Sequence, residues 1–120
     1  MYVTRVEKVK EYTIDKEGAY NVTAKYLLHK GVGAKNLQLR LFKIDVNGYT
    51  PLERHVHEHE VFILRGTALL LGEKQEFIVG PRSVIFISSF EQHQFKNIGA
   101  EPVEFLCTKE TRARDSSASI

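Results

Sequence analysis

Apolar and polar residues alternate along most of this chain with the period of two that belongs to strands, not the 3.6 that belongs to helices. Tyr20, Val22, Ala24 and Tyr26 alternate with Asn21, Thr23 and Lys25, which predicts a strand over Tyr20–Leu28. Leu37, Leu39 and Leu41 alternate with Gln38 and Arg40, after which Phe42, Ile44 and Val46 take the opposite parity. A parity switch inside one apolar run predicts either a bulge or a strand covered on both faces. Gln38 and Arg40 are expected to face solvent opposite the three leucines. In the alternative they project into a cavity, one to orient a bound water and the other to bind an anionic substrate. Asn47-Gly48 is a turn pair, because glycine tolerates positive φ and asparagine comes close to it.

The run Val61-Phe62-Ile63-Leu64 is too short for a helix and reads as a strand that includes the polar stretch before it. Thr67–Leu71 and Gln75–Val79 form a predicted hairpin about Gly72-Glu73-Lys74. Val84–Ile87, His93–Lys96 and Val103–Thr108 complete the set, punctuated by Gly66, Gly80-Pro81 and Gly99-Ala100-Glu101-Pro102. Short strands with glycine-bearing turns and no amphipathic helix predict an all-β sandwich or barrel. Residues 1–18 read as an amino-terminal arm with one short strand, residues 19–110 as the barrel domain, and residues 111–120, which lack an apolar pattern, as a disordered tail.

Composition narrows the function classes. A chain of 120 residues and 13.7 kDa is one domain with room for a core. Seventeen basic against 15 acidic residues leave a formal charge of +2, and no basic stripe with interleaved aromatics stands out, so nucleic acid is not an expected partner. No apolar run has the length to span a bilayer, and no membrane association is expected. Cys107 is the only cysteine, so no intrachain disulfide forms and the residue is expected to be a packed thiol. Met1-Tyr2-Val3-Thr4-Arg5-Val6-Glu7 lacks the pattern of a secretory signal, and the compartment expected from that is the cytoplasm.

The distinctive chemistry lies in Glu53-Arg54-His55-Val56-His57-Glu58-His59-Glu60, which holds three of the five histidines. Imidazole nitrogens and carboxylate oxygens are ligands for first-row metals. On a regular strand, positions 53, 55, 57 and 59 would face one side. His93, further on, follows the short strand Val84–Ile87.

With these histidines so placed, the sequence resembles the cupins, small double-stranded β-helix (jelly-roll) barrels. Their first motif brackets His-x-His, three or four residues and Glu between two glycines, with six residues between the Glu and the second glycine. Their second motif runs through Pro-Gly-Asp and Pro-x-Gly to His and, after three intervening residues, Asn. Here Gly48 and Gly66 match the bracketing glycines, and counting back from Gly66 puts His59 at the motif's Glu, His55 at its second His and Glu53 at its first. His93 and Asn97 match the second motif, whereas Arg82-Ser83 stand for its Gly-Asp and Ser88-Ser89-Phe90 for its Pro-x-Gly. The missing glycine at Phe90 puts the loop shape in question, and Asn97 takes the role of a turn-stabilising residue.

The resemblance implies one divalent transition-metal ion, Mn, Fe, Ni, Cu or Zn, held by Glu53, His55, His59 and His93. A second register, with His55 and His57 as the His-x-His pair and Glu60 as the carboxylate, stays open; otherwise His57 lines the barrel mouth. The implied function is binding of a small organic molecule at that mouth, with metal-dependent dioxygenase or isomerase chemistry in which His57 or Glu58 carries protons. The alternative is a non-catalytic small-molecule binder or sensor. The resemblance also implies a homodimer, with the amino-terminal arm available for strand exchange. Phe62, Phe86 and Phe95 are expected in core or dimer packing rather than stacked on substrate.

Overall fold

The computed structural model describes residues 1–111. All but one residue of the tail expected at 111–120 lies outside them; Thr111 is described, and its N–H donates to the Asn36 carbonyl at 2.9 Å. Nine strands form one antiparallel sheet that curls around the core: β1 (Glu11–Thr13), β2 (Tyr20–Leu28), β3 (Leu37–Tyr49), β4 (His59–Arg65), β5 (Ala68–Leu71), β6 (Glu76–Val79), β7 (Val84–Ile87), β8 (Gln94–Asn97) and β9 (Val103–Glu110). The hydrogen-bonded order is β6-β5-β8-β3-β9-β4-β7, with β2 on β3 and β1 on β2. Only two short 3-10 turns, Val6–Lys8 and Lys30–Val32, interrupt the β-structure. This is the all-β barrel that the alternation predicts.

The inner face is read from register. Ile44 pairs with Val22 and Val103, Phe42 with Ala24 and Phe105, and Arg40 with Tyr26 and Cys107. Stacked rings of Phe42, Phe105 and Phe95 fill the middle of the barrel at 5.4 and 4.8 Å between neighbouring centroids. Burying aromatic and branched side chains of this size stabilises the fold by roughly 1.5–3 kcal/mol each. Arg40, at 1% exposure, is therefore not a solvent-facing residue; it belongs to the parity of Phe42 and Ile44. Leu41 beside it is also buried, so the strand is covered on both faces there, one of the two outcomes that the parity switch predicts.

Two local expectations are corrected. Asn47-Gly48 is not a turn: β3 continues through both residues to Tyr49, and the register against β2 shifts between Tyr20 and Val22. A Cβ on Gly48 would stand 2.7 Å from the Tyr20 carbonyl oxygen, so glycine serves a close strand approach, while Asn47 takes φ 68°. The stretch from Glu53 to Glu58 is also not a strand. It bends at Val56-His57, and β4 begins only at His59.

Candidate metal centre

The stretch Glu53–Glu58 is shaped by the loop facing it. Glu53 and His93 exchange two backbone hydrogen bonds, at 3.2 and 3.0 Å, as an isolated antiparallel bridge. The Phe90 N–H donates to the His55 carbonyl at 2.7 Å, and the Ser89 hydroxyl to the Val56 carbonyl at 2.7 Å. Phe90 makes its bond at φ 62°, adopting the left-handed conformation that glycine takes more readily, so the loop keeps its shape without glycine. Asn97 acts as the motif implies: its amide donates to the carbonyls of Ile44 and Glu101 and its Oδ1 accepts from Gly99 N–H, at 2.9–3.0 Å.

This clamp converges three histidines. His55 from the bent stretch, His59 from the start of β4 and His93 from the residue before β8 place ligand atoms within 4.8 Å of one another. Their ring centroids are 4.9–5.3 Å apart, and the rings meet edge to face. His57, 3% exposed, stacks parallel on His55 at 4.3 Å and meets His59 edge-on at 4.7 Å. It walls the cluster. Glu53 lies at the edge, with Oε1 3.0 Å from His55 Nε2 and Oε2 2.5 Å from Lys16 Nζ. Glu58 and Glu60 are exposed.

Hydrogen-bonding chemistry orders the rings. A carboxylate only accepts, so His55 donates from Nε2 to Glu53 and offers a lone pair at Nδ1. His59 Nε2, 3.3 Å away, donates to that lone pair, and His59 Nδ1 then accepts on its far side, where Arg40 Nη2 lies at 3.3 Å. His93 donates from Nδ1 to the Glu91 carbonyl at 2.9 Å, which leaves the lone pair on Nε2. Behind His59, Cys107 Sγ is 3.2 Å from Nδ1 and accepts from Arg40 Nη2 at 3.2 Å.

The same surroundings set the charges. Burial opposes ionisation of Glu53, but hydrogen bonds from His55 and Lys16 and their charges outweigh it and hold the carboxyl at about 2. Burial, followed by Arg40 and the neighbouring histidines, pushes His59 down to about 2, so its imidazole is neutral at ordinary pH. Burial raises the Cys107 thiol even though Arg40 favours the thiolate. A neutral imidazole and an ionised carboxylate are the protonation states that a metal requires. Three imidazoles, two of them oriented by a carboxylate or a carbonyl on the other ring nitrogen, form a donor set suited to a divalent transition ion.

Three neighbours of the cluster escape the motif comparison. Lys16 reaches Glu53 across 37 positions from the amino-terminal arm, which no local pattern encodes. Arg40 and Cys107 carry a signal in parity, since they alternate in step with Phe42 and Ile44 and with Phe105 and Val103.

The structure is a curled antiparallel barrel with a histidine cluster on its inner face. The family model described as "Cupin domain" matches residues 40–109, and the chain belongs to that family. It is 29% identical over 96 residues to the 1-methylthio-D-xylulose 5-phosphate methylsulfurylase of Rhodospirillum rubrum; the match covers 80% of this chain and 61% of that protein, so the chain spans under two thirds of the enzyme. It is 31% identical to an uncharacterized protein of Methanocaldococcus jannaschii, over 87% of this chain and 82% of the other. Among solved structures it superposes on the polyketide cyclase RemF of Streptomyces resistomycificus with a TM-score of 0.89 and 28% identity, over 96% of this chain and 82% of the cyclase.

Proposed function

We propose that this chain binds one divalent transition-metal ion through His55, His59 and His93, with Glu53 accepting from the far ring nitrogen of His55 instead of joining the ligands, and uses that centre to bind and transform a small organic molecule at the barrel mouth. The observation that carries the reading is the convergence of three ligand atoms from separate segments within 4.8 Å. When bound, such an ion supplies Lewis acidity toward a substrate oxygen. The chain's own residues do the rest. Glu53 stays ionised and contributes the negative charge, Lys16 offsets that charge, and His57 walls the cluster against water. Among similar proteins, a methylsulfurylase and a polyketide cyclase are both named for chemistry on small organic molecules, which supports an enzyme over a passive binder.

Elemental analysis after loading and desalting tests the ligand set. The wild type is expected to keep one equivalent of Mn, Fe, Ni, Cu or Zn, and His55→Ala, His59→Ala and His93→Ala to lose it. Full metal content in those variants would overturn the assignment. Loss in His57→Ala would favour the register that uses His57.

A second copy of this chain is the proposed occupant of the outer face of β4 and β7. Phe62, Leu64, Val84 and Phe86 are exposed there around a groove lined also by Leu39 and Leu106. Among the described strands β7 ends the sheet, so the apolar patch continues onto a strand edge that a two-fold copy can meet with the same surface.

A further inference from the structure

We infer that Cys107, held by Arg40, is the positioning residue that fixes the ring of His59 for metal binding, by accepting a hydrogen bond from Nδ1–H when Nε2 is given to the ion. The inference rests on the metal reading above. His59 Nε2 faces His55 and Nδ1 faces away from the cluster, toward Arg40 and Cys107. An imidazole that gives Nε2 to a metal carries its proton on Nδ1, and such a proton is ordinarily directed to a carboxylate, a carbonyl or a water. The guanidinium of Arg40 has five donors and no acceptor, so it cannot take that proton. Cys107 Sγ, 3.2 Å from Nδ1, is the acceptor that the geometry supplies.

Arg40 then has a defined part. Its Nη2 lies between two acceptors, His59 Nδ1 at 3.3 Å and Cys107 Sγ at 3.2 Å. Moving the imidazole proton from Nε2 to Nδ1 changes the tautomer and leaves the charge of His59 unaltered. It also turns Nδ1 from acceptor to donor, so Arg40 is left with the sulfur, which it already contacts. A sulfur receiving hydrogen bonds from both Arg40 and His59 ties β3, β4 and β9 together behind the cluster. His55 and His93 use an oxygen acceptor for the same purpose, Glu53 and the Glu91 carbonyl respectively, and His59 uses sulfur.

Cobalt(II) is the probe, titrated against a competing chelator into the metal-free full chain, with the visible d–d spectrum recorded. Cys107→Ala is expected to weaken cobalt affinity by about 10–100-fold and to alter the spectrum, whereas Cys107→Ser, which keeps an acceptor, stays within about 3-fold of wild type. Circular dichroism and melting of the metal-free forms accompany each titration. If the sulfur only fills space, Cys107→Ala binds cobalt as tightly as wild type, or Cys107→Ser is as weak as Cys107→Ala; either result overturns the inference. Nitrogen-15 spectra of the zinc-loaded wild type need no substitution: the proton is expected on His59 Nδ1, and a metal-bound Nδ1 would refute it. A wild-type chain that binds neither cobalt nor zinc would instead strike the metal reading, so the two failures are told apart.

Discussion

At the scale of residues, His59 and Glu53 tie stability to pH. Both hold their protons less firmly in the folded chain than in the unfolded one, His59 falling from 6.5 to about 2 and Glu53 from 4.5 to about 2. Wherever the unfolded chain binds more protons, stability rises with pH. His59 therefore costs the metal-free protein stability as pH falls below 6.5, and Glu53 adds to the loss below 4.5, both continuing toward about 2. Urea unfolding of metal-free protein at pH 7.5, 6, 5 and 4 is expected to show a midpoint that declines through the series. A non-titrating substitution, His59→Gln, is expected to flatten the upper part of that decline; an equal slope in the variant would count against this account of His59. The candidate ligands were legible through the family resemblance, because His55 and His59 keep their offsets from Gly66 and His93 its offset from Asn97. Lys16 was not, since its meeting with Glu53 depends on where a distant arm lies.

At the scale of elements, the two glycine-poor turns of the second motif show backbone geometry held against residue preference. Arg82 has φ 73° and its N–H donates to the Ile63 carbonyl at 2.8 Å, the same left-handed solution that Phe90 reaches. Relief of left-handed strain offsets the extra freedom that glycine gives the unfolded chain, so Arg82→Gly is expected to raise stability by about 1 kcal/mol or less in chemical denaturation. Gly66 behaves oppositely. It has φ 84°, and a Cβ there would sit 2.8 Å from Val103 Cα and closer still to the Pro102 carbonyl, so Gly66→Ala is expected to cost roughly 2–4 kcal/mol. Tyr20–Leu28 was read from alternation with its observed bounds, and Val84–Ile87 from a short apolar run bounded by turn residues. Glu53–Glu58 was misread because alternating histidines look like one strand face. Their convergence comes instead from a bend clamped by Ser89, Phe90 and His93, contacts made across more than 30 positions that no local pattern holds.

At the scale of the molecule, the barrel places its chemistry inside and leaves apolar side chains outside. Val84 and Phe86 on β7 are 77% and 57% exposed, well beyond what strand packing in one chain uses. Light scattering is expected to give twice the 13.7 kDa chain mass, and Val84→Lys with Phe86→Lys to return it to the mass of one chain. A wild-type mass of one chain would remove this face from consideration as an interface. An all-β sandwich or barrel was readable because short strands and glycine-bearing turns recur from Tyr20 to Thr108, and the family resemblance selected the barrel, whereas the covering of an outer face depends on a neighbour that one chain does not specify.

The central claim is that His55, His59 and His93 close on a single ion. Anomalous diffraction from crystals of zinc-loaded protein tests it most directly. The expected result is one strong peak per chain at about 2.0–2.1 Å from a nitrogen of each of the three rings. A peak bonded elsewhere, or a His59–His55 hydrogen bond that stays in place with no peak between the three rings, would contradict it.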